Sequence, residues 1–266
     1  MSIEVTRGDS PLVLGLPHTG TDLPPEIAAR LNDTGRALAD TDWHIHTLHG
    51  GLAAGVTTVR QTLHRYVIDV NRDPTGASLY PGQNTTGLVP LTDFDGTPIW
   101  SDPPDTAEIA ARRAAHHAPY HAALRAELDR VRARHGVAIL YDCHSIRSKI
   151  PFLFDGTLPD FNIGTDHGAT CAPAVEATVT DICAAAPGFS HVVNGRFRGG
   201  WTTRHYGRPE AGIHAIQMEL AQSAYMQERP PWDWDWDAAR AARLRPVLAR
   251  ILSALIDLAP RLRSQS

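Results

Sequence analysis

The sequence predicts an α/β protein: a mixed, mostly parallel sheet with helices on both faces, built as one domain over residues 1–266. Three observations lead there. Short apolar runs bounded by Pro, Gly or charged residues alternate with longer helical patterns, as in sheets whose strands are joined by crossover helices. The 266 residues, 42% of them hydrophobic, suffice for one large domain with a sizeable core. No internal repeat and no linker-like composition divides the chain.

The elements follow in order. "PLVLGLP", Pro11 to Pro17, reads as a buried strand between prolines and ends at His18. A helix follows "DLPPE", with Pro25 in its first turn and Ile27, Ala28 and Leu31 on one face. Leu38 to Leu52 carries apolar residues at helical spacing, interrupted by "DTDWH". "GVTTVRQ" and "RYVIDVN" read as two strands, the second alternating Tyr66, Ile68 and Val70. Asp73 to Pro104 lacks periodicity, and a loop that long in a compact domain is usually functional or mobile. Ala107 to Arg134 predicts a helix that Pro119 kinks or splits. Then come a buried strand, "GVAILYD", a helix from Pro173 to Ala186, and strands in "HVVNGRF" and "GIHAIQMEL". The final amphipathic helix is capped by Asp237 and bent at Pro246.

Composition removes several classes of function. A net charge of −4 leaves no basic footprint for nucleic acid. No apolar run approaches the ~18 residues of a membrane span, and the N-terminal segment lacks a signal-peptide core. Cys143, Cys171 and Cys183 are too widely spaced for a CxxC zinc motif and fit a reducing compartment, so a soluble, cytoplasmic protein is expected.

Ligands of open α/β sheets bind beyond the carboxyl ends of the strands. Reactive side chains stand at four such places: His18, Asn71-Arg72, His144 in "ILYDCHSIRSK", and Glu219 in "IHAIQMEL". Two imidazoles and a carboxylate make an open zinc site, and a further carboxylate beside it would move protons. His18 and His144 can supply the imidazoles, Asp42 the carboxylate, and Glu219 the acid/base. The plain alternatives are that Asp40 or Asp42 caps a helix, and that Glu219 faces outward from a half-buried strand. A Cys143–His144 nucleophile is disfavoured because adjacent strand residues point to opposite faces. Ser145 lacks the GxSxG elbow of a serine hydrolase.

Seven segments, "GLPHTGTDLP", "DTDWHIHTL", "RYVIDVNRDP", "LYPGQNTTGLVP", "DCHSI", "RFRGGWTTRHYG" and "HAIQMELAQSAYM", occur in that order between about Pro11 and Met226. Together they resemble the N-formylglutamate amidohydrolases, relatives of the zinc carboxypeptidases and aspartoacylases. The resemblance implies the carboxypeptidase-like fold, one Zn2+ per chain, and hydrolysis of N-formyl-L-glutamate to formate and L-glutamate in histidine degradation. It places the wider group's metal histidines on His18 and His144, its Asn-Arg pair on Asn71 and Arg72, and its catalytic Glu on Glu219. One departure stands out. The related enzymes supply a carboxylate three residues after the first His, where this chain has Thr21. The third ligand must then come from "DTDW", with Asp42 favoured over Asp40. Arg72 is expected to act in catalysis and on a substrate carboxylate, with Arg65, Asn71, Arg198, Thr203, Arg204 and His205 as further substrate contacts. Arg196 is read as a solvated loop residue. Two alternatives stay open: the same hydrolysis on another N-acyl or N-formimidoyl amino acid or small amide, and a non-catalytic binder of an acidic metabolite.

Overall fold

A computed structural model describes residues 2–78, 82–229 and 233–263. Seven strands form one sheet: β1 (Ile3–Thr6), β2 (Leu12–Leu16), β3 (Thr57–Gln61), β4 (Ala138–Ile146), β5 (Phe161–Gly164), β6 (His191–Val193) and β7 (Ile213–Ala221). Their order across the sheet is β1-β3-β2-β4-β7-β5-β6. The pairs β2–β3, β2–β4, β4–β7 and β5–β6 are parallel, whereas β1–β3 and β5–β7 are antiparallel. The expected mixed, mostly parallel α/β sheet is therefore present.

The helices are α1 (Pro25–Ala28), α2 (Asp33–Arg36), α3 (Ile45–His49), α4 (Thr106–Arg112), α5 (Ala118–His135), α6 (Pro173–Ala184), α7 (Trp201–Tyr206) and α8 (Ala238–Leu258). They cover both faces because alternate strand residues point to opposite sides. Leu12, Leu14, Ile139 and Tyr141 join the core with α3, α6 and α8, while Val13, Ala138 and Leu140 join the one with α5. Every residue of the central strands β4 and β7 is buried. From β2 the chain crosses to β3 on one side and, through α5, to β4 on the other. That reversal opens a crevice at the carboxyl ends of β2 and β4.

Several expectations need correction. "RYVIDVN" is not a strand: its apolar residues are buried, but no neighbouring strand pairs with it. The edge position beside β3 belongs instead to β1, an exposed strand too short to stand out in the sequence. Several carbonyls in and just after the segment accept instead from side chains of the helical layer. Arg112 donates to Tyr66 O and Val67 O, His121 to Val70 O, and His117 to Arg72 O. The helix expected over Leu38–Leu52 shrinks to α3, and "HVVNGRF" yields only the three residues of β6. β4 runs past Asp142 through His144 to Ile146, so His144 lies on the strand. Strand β5 and helix α7 had no clear signal. The long helix is interrupted as Pro119 required, by a π turn at Arg113–His117 just before the proline-started α5. Leu79, Tyr80 and Pro81 of "LYPGQNTTGLVP" lie outside the described residues. Among the described residues no helix is long and apolar enough to cross a membrane.

Burial of two histidines makes the fold acid-sensitive. His49 is pushed down to about 4 and His121 to about 3, in both cases chiefly by burial. Unfolded, each takes up its proton near 6.5, so stability is complete above that pH and falls as pH drops from about 6.5 towards about 4. At pH 5 each site is expected to cost about 2 kcal/mol. Thermal unfolding at pH 7 and pH 5 tests this: His49→Gln should lose less stability than wild type between the two, and an identical loss would remove His49 from the account.

Candidate active site

The turn after β2 presents His18, and the backbone N–H of Asp42 donates to His18 O at 3.0 Å, which draws the "DTDW" turn against it. On β4, Asp142 and His144 point to one side. The parallel register sets Gln217 of β7 beside Asp142 and Glu219 beside His144. The unpaired segment after Arg65 contributes Asp69, Asn71 and Arg72. Sequence positions 18, 42, 65–72, 142–144 and 217–219 are thus gathered at one end of the sheet.

At its centre His18, Asp42 and His144 form a buried group whose candidate ligand atoms lie within 4.8 Å of one another, an arrangement that can hold a metal ion. The imidazole centroids are 5.0 Å apart. Asp42 Oδ2 lies 3.1 Å from His144 Nδ1 and 3.7 Å from His18 Nδ1. Two atoms bound at ~2.0–2.1 Å to one tetrahedral ion stand about 3.3 Å apart, a spacing the two distances bracket. His18 Nδ1 is buried with no hydrogen-bond partner among the described residues, which leaves it for such an ion. The outer nitrogens face acids. His18 Nε2 meets Asp69 Oδ1 at 2.7 Å, and His144 Nε2 meets Asp142 Oδ1 at 3.3 Å and Asn71 Nδ2 at 3.2 Å. Carboxylates behind metal-ligating imidazoles fix ring orientation and raise ligand basicity.

The buried charge is acid-rich. Asp42, Asp69 and Asp142 sit with the guanidiniums of Arg65 and Arg72, and uncompensated buried charge is costly. Burial alone would raise Asp42, but the Arg65 guanidinium (Nη2–Oδ1 2.5 Å) and the two imidazoles outweigh it and hold the carboxyl below its ordinary range. His144 is raised against the pull of burial by Asp142 and then Asp42. A divalent cation suits this field. Asp40, the second choice for the third ligand, faces elsewhere: it accepts from Tyr66 Oη at 2.9 Å and from Phe94 N.

Glu219 is buried beside His144, and burial pushes its carboxyl up to about 7. Its Oε2 accepts from Gln217 Nε2 at 3.0 Å, while Gln217 Oε1 accepts from Gly200 N at 2.6 Å. Asn71 is equally fixed, since its Oδ1 accepts from Thr202 N at 2.8 Å. Gly200 has to be glycine here because a Cβ would stand 2.3 Å from Asn71 Nδ2.

A cavity of ≈ 260 Å3 opens over this cluster, lined by His18, His144, Glu219, Arg65, Asn71 and Arg72 among others. Arg72 is held by Thr86, through Nε to its carbonyl and Nη2 to its hydroxyl, both at 3.0 Å. Asn84 and Thr85 also line the cavity. The "RFRGGWTTRHYG" segment differs from expectation. Arg198, Thr203, Arg204 and His205 are not among the lining residues; Arg196 is. Thr203 instead donates from Oγ1 to Asp142 Oδ2 at 2.9 Å and so steadies His144 from behind. Arg204 pairs with Asp166 at 3.1 Å, and His205 stacks on Trp201. Asp69, Asp142 and Gln217 were missed as site residues. Their one signal was the two-residue spacing to Asn71, His144 and Glu219, which becomes meaningful only with the register known.

Residues 10–226 match the family model described as N-formylglutamate amidohydrolase. The chain is 47% identical over 253 residues to an N-formylglutamate deformylase of Pseudomonas aeruginosa, covering 94% of each chain. It is 45% identical to the deformylase of Pseudomonas putida over the same share. Among solved structures, the N-formylglutamate amidohydrolase of Ralstonia eutropha JMP134 superposes with a TM-score of 0.80 at 23% identity, over 98% of each chain, a likeness of fold.

Proposed function

The chain belongs to the N-formylglutamate amidohydrolase family, and from that premise we propose that it is a zinc-dependent hydrolase cleaving N-formyl-L-glutamate to formate and L-glutamate, as a step of histidine degradation. The observation that carries the reading is the buried convergence of His18, Asp42 and His144 beside Glu219 at the base of an arginine-lined cavity.

His18 Nδ1, Asp42 Oδ2 and His144 Nδ1 would hold the ion. When bound, zinc supplies a Lewis acid for the formyl oxygen and lowers the pKa of a water from 15.7 to ~7. Glu219, buried beside His144, would take the proton from the attacking water as the water oxygen bonds to the formyl carbon. It then passes the proton to the amide nitrogen as the C–N bond breaks, giving formate and the free amine. Gln217 keeps one Glu219 oxygen occupied, so the other carries the proton. Arg65, tied to Asp42 and stacked 5.0 Å from the Phe94 ring, brings fixed positive charge to the negative charge growing on the formyl oxygen. Arg72 stands beside Asn71, which touches His144, and receives the carboxylate on the carbon next to the amide nitrogen.

Steady-state formate release from N-formylglutamate, N-formylaspartate and N-acetylglutamate, before and after chelation, tests the proposal. N-formylglutamate is expected to be the best substrate, with activity abolished by chelation and restored by Zn2+. Formate release that survives in metal-free protein, or none from any compound, would overturn it.

A further inference from the structure

We propose that Phe94 and Ile146 confine the acyl group to formyl, by closing the cavity where a larger group would carry its first methyl; this rests on reading the site as an N-formylglutamate hydrolase. N-acetylglutamate differs from the formyl compound by one methyl on the reacting carbon, and the two share every charged group. Arginines therefore cannot tell them apart, and the discrimination has to come from packing.

The register of β4 and β7 sets the layers of the cavity. Gln217 lies beside Asp142, Glu219 beside His144, and Ala221 beside Ile146. Side chains two apart on a strand share a face and stand about 7 Å apart along it. The His144–Glu219 layer thus lies between the other two. On the Asp142 side, Asn71 Nδ2 reaches His144 Nε2 at 3.2 Å and Gly200 N donates to Gln217. That end, with Arg72 beside Asn71, receives the amino-acid carboxylate. The opposite layer is wholly apolar: Ile146, Ala221 and Phe94 join one buried cluster. Ile146 and Phe94 line the cavity, 4% and 7% exposed.

Arg65 directs the acyl group to this apolar end. Its Nη2 is bound to Asp42, while its buried Nε has no hydrogen-bond partner among the described residues. Arg65 also lines the cavity, so its charge faces the oxygen on which negative charge grows. The Phe94 ring covers the same guanidinium, its centroid 5.0 Å from Cζ, and Asp40 fixes the residue by accepting from Phe94 N at 3.0 Å. With its oxygen towards Arg65 and its nitrogen towards Arg72, the carbonyl turns its remaining substituent to Ile146 and Phe94. A formyl hydrogen fits against that wall. A methyl meets two side chains held by the cluster behind them, and close-packed interiors do not take an added methyl without strain.

The test measures glutamate release from N-formylglutamate and from N-acetylglutamate. Ile146→Val removes one methyl, the volume that the acetyl group adds, and Phe94→Leu opens the wall further. In each, the ratio of kcat/KM for the acetyl over the formyl compound is expected to rise about 10- to 100-fold, the scale of one methyl group in an apolar pocket. Leu88→Ala makes the contrast. Leu88 lines the same cavity but belongs to the core on the α5 side, where its carbonyl accepts from Asp69 N at 2.8 Å. Its truncation should leave the ratio near the wild-type value. Ratios within about twofold of wild type in Ile146→Val and Phe94→Leu would overturn the assignment, and Ile146→Val alone decides if Phe94→Leu does not fold. An equal rise in Leu88→Ala, or wild-type protein that cleaves both compounds alike, would overturn it too. Wild-type protein that releases glutamate from neither compound sinks the reading of the site itself, and this inference with it.

Discussion

Glu219→Gln is expected to lower kcat by about 10²- to 10⁴-fold while one Zn2+ per chain is retained. The substitution is nearly isosteric, and an amide oxygen at position 219 still accepts from Gln217 Nε2, so the 3.0 Å contact and the shape of the cavity persist. What disappears is a group able to accept and release a proton. A loss of that size corresponds to about 3–5 kcal/mol of transition-state stabilisation, too much for a rearranged hydrogen bond at the cavity wall. Turnover and metal content have to be measured on the same preparation. Residual activity above about a tenth of wild type would leave Glu219 as a polar wall residue, and the proton carrier would have to be sought elsewhere.

The centre of this site was legible in the sequence for a physical reason. An imidazole or carboxylate in or just after a buried, mostly apolar strand is costly unless something partners it, and His18, His144 and Glu219 all stand so. Asp40 and Asp42 were not separable, being two residues apart in one short turn. Only the tertiary partners, Tyr66 and Phe94 for one and Arg65 with the histidines for the other, tell them apart. Asp69, Asp142 and Gln217 touch other side chains rather than a ligand, and their meaning depends on strand register. The arginines of "RFRGGWTTRHYG" show a different limit. Between β6 and α7 the chain has no regular element, and in that stretch Arg196 lines the cavity while Arg198, and Arg204 on α7, do not. No periodic pattern encodes such a choice. "RYVIDV" had the alternation of a strand but pairs with none among the described residues, since pairing partners are allotted across the whole sheet.

Asp42→Asn is expected to abolish stable zinc binding and also to destabilise the metal-free protein by about 3–5 kcal/mol, the cost of stranding a buried charge. The two effects separate if wild type and variant are both unfolded in chelator. The stability loss follows from what Asp42 does before any ion binds. Its Oδ1 accepts from Arg65 Nη2 at 2.5 Å, and its Oδ2 faces His144 Nδ1 at 3.1 Å and accepts from Ser145 N at 3.2 Å. A neutral side chain leaves the buried Arg65 guanidinium without its nearest counter-charge. His18→Ala makes the useful contrast: it removes one imidazole ligand, but Asp69 keeps Arg72 at 3.5 Å and the Asn71 N–H at 2.9 Å. His18→Ala should therefore lose zinc with the smaller loss of metal-free stability. Removing both charges, in Asp42→Asn with Arg65→Met, should recover part of the stability and none of the zinc. If metal-free Asp42→Asn melted with wild type, the Asp42–Arg65 pair would be no part of what holds the site together. The acid would then serve the metal alone.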